Sequence, residues 1–91
     1  MMSQIPLNLG KVKKEDLDNE ILRVGMIAEL DAVNLYEQMA DMTASGKIKK
    51  VLLEIAREEK THVGEFQALL LSRDKEQVEE LKKGKREIDE I

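Results

Sequence analysis

Three side chains have the types and spacing to hold a metal ion: Glu29, Glu59 and His62. Glu59 and His62 stand three apart, so on an α-helix they lie side by side one turn on. At about 100° per residue, Ile48, Val51, Leu52, Ile55, Ala56, Val63, Phe66, Leu69 and Leu70 form an apolar face around them. Glu54, Arg57, Glu58, Lys60 and Glu65 fall outside that face. Glu29 sits at the centre of a second face made of Leu22, Gly25, Met26, Ala32, Val33, Tyr36 and Ala40. A carboxylate set in an apolar stripe is costly unless it is paired or bound to a metal. No Lys or Arg shares either face, and carboxylate plus imidazole suits iron or manganese. Taken singly these residues say little, because a lone His on an apolar face is most often a satisfied core residue, and Glu-x-x-His recurs by chance in Glu-rich helices. The conjunction of Glu29 with the Glu59–His62 pair carries the metal reading.

Such a cluster needs two helices facing each other. From about Lys14 to Ala44 the chain holds no Gly or Pro except Gly25, and the pattern is helical. Ser45-Gly46 closes that helix, with Gly46 expected in the left-handed conformation just past its end. A second helix is expected from about Lys47 to Ser72, and Asp74-Lys75-Glu76-Gln77 resembles a capping box opening a third, shorter one. The short link makes the first two helices an antiparallel hairpin. Residues 1–13, with Pro6, Asn8 and Gly10, read as an irregular leader, and 14–91 as one helical domain. The first helix also carries a second apolar stripe: Leu17, Ile21, Val24, Ala28, Leu35 and Met42. Ile27 and Leu30 extend it nearly all round at mid-helix. One hairpin partner cannot cover so wide an arc, so other subunits are expected.

Composition agrees with an all-α chain: 91 residues, 37% charged, 42% hydrophobic, 2% aromatic, with one proline. The net charge of -4 and the lack of a basic stripe interleaved with aromatics argue against nucleic acid as a partner. The absence of cysteine excludes disulfides, zinc ribbons, iron–sulfur clusters and thiol catalysis. No apolar run approaches the roughly 20 residues that span a bilayer, and the start lacks a secretory pattern. A soluble cytoplasmic protein with no membrane partner is the expectation.

The segment Ala28-Glu29-Leu30-Asp31-Ala32-Val33-Asn34-Leu35-Tyr36, followed by Ala56-Arg57-Glu58-Glu59-Lys60-Thr61-His62, resembles the encapsulated ferritins. These are half-size ferritin-like proteins housed inside encapsulin nanocompartments, and the likeness covers roughly residues 15–85. Ferritin-like di-iron bundles take a Glu from each of two helices and a Glu-x-x-His from each of the other two. This chain carries half of that set, so a homodimer would bring four carboxylates and two histidines to two irons, one Fe per subunit. The resemblance implies a ferritin-like antiparallel two-helix hairpin plus a short C-terminal helix, a four-helix bundle completed by dimerisation, and a ring-shaped decamer. It also implies that Glu29 bridges the irons, that Glu59 and His62 are further ligands, and that Tyr36 lies beside the site. Asp31 would belong to an accessory site through which metal arrives, although Ala28 stands where relatives can carry an extra acid. The implied activity is oxidation of Fe(II) to Fe(III), feeding mineral storage inside an encapsulin shell. No shell-docking tail is evident in Lys85–Ile91, and some relatives are fused to the shell protein itself. Read from the residues alone, Asp31, Glu37 and Asp41 are a solvated face, and Met26, Met39 and Met42 core fillers. Two rival readings are a rubrerythrin-like peroxidase, which without Cys would draw electrons from a separate protein, and a non-enzymatic helical oligomerisation module.

Overall fold

A computed structural model describes Gly10 and residues 13–91, so the expected leader lies almost wholly outside the described residues. The chain forms α1 (Leu17–Met42), α2 (Gly46–Leu71) and α3 (Lys75–Asp89), in the expected order and with no strand among the described residues. Helix α1 begins three residues later than its apolar pattern suggested. Residues 14–16 form a turn instead, in which the Asp16 N–H donates to the Lys13 carbonyl at 2.9 Å.

The turn between α1 and α2 corrects the expectation for Gly46. No described residue has a positive φ, and Gly46 is the first residue of α2 rather than a left-handed stop for α1. Hydroxyl groups close the turn instead. Thr43 is extended, with φ -82 and ψ 141, and its N–H bonds the Met39 carbonyl. Its Oγ1 accepts the Ser45 N–H at 3.1 Å, and Ser45 Oγ in turn accepts the Ile48 N–H at 3.2 Å as the N-cap of α2. Side-chain oxygens thereby satisfy backbone groups that a glycine stop would have satisfied through the main chain.

The start of α3 follows the capping expectation in part. The Asp74 carboxylate accepts the Gln77 N–H at 2.9 Å, while the Asp74 N–H is taken by the Leu70 carbonyl at 2.9 Å. The reciprocal bond of a full capping box is therefore replaced by a bond back to α2.

Helices α1 and α2 pack along their length as the antiparallel hairpin, and α3 meets only α2, near the connecting turn. The buried residues are Val33, Ala40, Ala56 and Leu70, and among the described residues no large side chain is fully buried. The small residues Ala40 and Ala56 let the backbones approach, but they exclude little water themselves. Much of the expected apolar surface stays open on the single chain: Leu30 is 52%, Ile48 53% and Leu69 55% exposed. The wide apolar arc read from the sequence is thus only partly covered by the hairpin. No described helix is long and apolar enough to cross a membrane.

Candidate metal centre

The antiparallel pairing sets Glu29, midway along α1, opposite Glu59 and His62 on α2. His62 Nδ1 lies 3.4 Å from Glu29 Oε2 and 3.4 Å from Glu59 Oε2. One ligand atom from each residue falls within 4.8 Å of the others, and this is the one such group of three among the described residues. Two properties of the cluster suit a cation. The first is charge: two carboxylates face each other, and no Lys or Arg is recorded in an ion pair with either among the described residues. The second is spacing. A gap of 3.4 Å is longer than the roughly 2.7–3.2 Å of an ordinary N–H···O bond. Metal–ligand bonds of about 2.1 Å meeting at about 90–110° place their donor atoms about 3.0–3.4 Å apart. The two gaps at His62 are thus wide enough to be spanned through a shared divalent cation.

Burial differs from the expectation of deeply set carboxylates. The side chains of Glu29 and Glu59 are 21% and 18% exposed, and that of His62 is 45% exposed. One chain thus supplies three donors, of which His62 is the most accessible to solvent. Partial exposure also lowers the cost of holding the two carboxylates together in the free chain.

The remaining residues singled out from the sequence distribute as follows. Asp31 is half-buried on α1 and is not among the three clustered side chains. Tyr36, also half-buried, lies seven residues past Glu29, about 10 Å along the helix axis. Glu37 pairs with Lys60 at 3.2 Å across the hairpin, both ends well exposed, as suits a solvated face. This cross-helix pair was not foreseen, because periodicity places residues on faces without fixing how one helix slides past the other. Met26 and Met39 are half-buried, whereas Met42 is 83% exposed at the last position of α1 and is not a core filler on this chain.

A helical hairpin with a carboxylate–histidine cluster at mid-height defines a ferritin-like protein. The rubrerythrin family model matches residues 20–90. The chain is 60% identical over 94 residues to a ferritin-like–encapsulin shell fusion protein of Pyrococcus furiosus, a match covering all of this chain and 27% of that protein. This chain thus spans about a quarter of the length of that curated relative. Among solved structures it is similar to the encapsulated ferritin domain from Pyrococcus furiosus, with a TM-score of 0.85 and 52% identity, covering 100% of this chain and 95% of that one. The chain belongs to the rubrerythrin family and, within the ferritin-like fold, to the encapsulated ferritins.

Proposed function

We propose that this chain is a ferroxidase, oxidising Fe(II) to Fe(III) at a di-iron site formed between two subunits. The observation that carries the reading is the convergence of Glu29, Glu59 and His62, whose ligand atoms lie within 4.8 Å of one another. Two such sets brought face to face hold four carboxylates and two imidazoles, the full donor inventory of a ferritin-like bundle. Glu29 would be a ligand shared by both irons, while Glu59 and His62 would hold one iron per chain. A pair of Fe(II) ions would supply two electrons, which with two protons from solvent would reduce one O2 to hydrogen peroxide and leave two Fe(III). The carboxylates would offset the added charge of Fe(III), and a second subunit over the cluster would exclude bulk water from the pair. By the family resemblance, Tyr36 would serve at the margin of this site, about two turns from Glu29, and Asp31 on the path by which metal arrives.

The similar Pyrococcus furiosus protein is by its name fused to an encapsulin shell. That supports a role for this chain in supplying iron for mineral storage inside such a shell, as part of a ring-shaped homo-oligomer such as a decamer. The half-open apolar surface of α1 and α2 supports association of several copies. The test is anaerobic Fe(II) titration of the apo-protein by size-exclusion chromatography with light scattering, followed by admission of air and near-ultraviolet absorbance. The expected result is one iron per chain, association on binding and rapid appearance of Fe(III). Iron that neither binds nor changes the assembly would leave the carboxylates structural and the chain an interaction module. The rubrerythrin family match supports a second reading, a peroxidase. Faster turnover with peroxide and a reductant than with O2 would favour it.

A further inference from the structure

We propose that Gly25 is a positioning residue for the metal centre: its missing side chain lets the Phe66 ring lie against α1 one turn from the cluster, and this contact sets the spacing at which Glu29 meets Glu59 and His62. The inference rests on the metal-site reading above and adds residues that bear on it without touching metal. A glycine inside a helix is less stable than an alanine, so Gly25, in the interior of α1, calls for a local reason. The structure supplies one. A Cβ placed on Gly25 would stand 3.0 Å from Cε1 and Cζ of Phe66 and 3.1 Å from Cδ1. At that distance the ring, or α2 with it, must give way by a few tenths of an ångström. The other described glycines, Gly10, Gly46, Gly64 and Gly84, meet nothing within 4 Å of such a Cβ.

The place of this contact along the hairpin decides what it controls. Gly25 precedes Glu29 by four residues and Phe66 follows His62 by four, so in an antiparallel pair the two couples stack at adjacent levels, about 6 Å apart along the axis. Closely packed helices transmit a displacement at one level to the next. A cluster in which His62 Nδ1 sits 3.4 Å from each carboxylate tolerates little widening before one ligand leaves the set. Phe66 is therefore the gauge of the helix-to-helix distance, and Gly25 is the recess that receives it.

The experiment compares the parent chain with Gly25→Ala, Phe66→Leu and the double variant. Anaerobic Co(II) is titrated into each and followed by the visible d–d absorption that reports coordination geometry, with helicity monitored by circular dichroism. Gly25→Ala is expected to keep or raise its helicity while binding Co(II) about tenfold more weakly, with an altered d–d band. Phe66→Leu, which leaves the α1 helix propensity untouched, is expected to weaken binding severalfold. Adding Phe66→Leu to Gly25→Ala should recover most of the lost affinity, because the smaller side chain vacates the space the new methyl needs. Parent-like affinity and spectrum in Gly25→Ala would overturn the proposal and reduce the contact to packing. A double variant as weak as Gly25→Ala would overturn it too. If the parent chain itself binds neither Co(II) nor Fe(II), the metal-site reading fails and takes this inference with it, an outcome visible in the parent arm alone.

Discussion

The α1–α2 hairpin and α3 are both amphipathic, yet they use their apolar residues differently. In the hairpin, Val33 and Ala40 of α1 and Ala56 and Leu70 of α2 are buried, and the cross-helix cluster forms between them. Helix α3 buries none of its residues, with Leu81 42% and Ile88 68% exposed. Its polar ties to the rest gather at its start: the Asp74 cap, the bond from Asp74 N–H to Leu70, and an ion pair between Arg23 and Asp74 at 3.7 Å. Chemistry requires side chains held from two directions, which the hairpin supplies and α3 does not. The third helix is an attached surface, and the hairpin is the frame.

The strongest way to break this contrast is at the cluster. His62→Ala or Glu29→Ala should lower Fe(II) affinity by more than the roughly 10–100-fold typical of residues that only support a ligand, measured by anaerobic titration. Glu29→Ala should leave the apo-hairpin as stable as the parent or more so, since it removes one of two crowded carboxylates. A large loss of apo stability in denaturant would mean that the cluster is a structural ion pair. Next in size is packing. Leu70→Ala, at a residue 3% exposed, should cost about 2–4 kcal/mol of unfolding free energy in urea, whereas Leu81→Ala should cost less than about 1 kcal/mol. Equal costs would mean that α3 shares the core. Loss of the cap in Asp74→Ala should cost about 1 kcal/mol and appear first as reduced helicity of α3. The smallest effect belongs to Lys60→Ala, about 0–0.5 kcal/mol, because both ends of its pair with Glu37 are exposed.

Much of this frame is legible in the chain. The period of the apolar residues places α1 and α2 to within a few residues of Leu17–Met42 and Gly46–Leu71, and Asp74 marks the start of α3. The convergence of Glu29 with Glu59 and His62 is legible too, because a short link and two long helices leave an antiparallel hairpin as the natural arrangement. What stays hidden depends on register and competition. Gly46 looks like a helix stop, but Thr43 and Ser45 satisfy the turn first and leave the glycine to open α2. The pairing of Glu37 with Lys60 and of Gly25 with Phe66 needs the sliding of one helix on another, which a periodicity on each helix does not contain. Met42 shares a stripe with core residues but sits at the last turn, where the hairpin no longer covers it.

Helices α1 and α2 each have 26 residues, and Glu29 is twelve residues from one end of α1 and thirteen from the other, as the bounds Leu17 and Met42 give. That is about 18–20 Å of helix on either side. Helices lose structure from their ends, and the opening of the last turns does not reach the middle of a segment this long. Backbone amides near Glu29 and Glu59 should therefore be the slowest in the molecule to exchange with deuterium. In kinetic terms the cluster is insulated from fraying, because the turns that open first lie farthest from it.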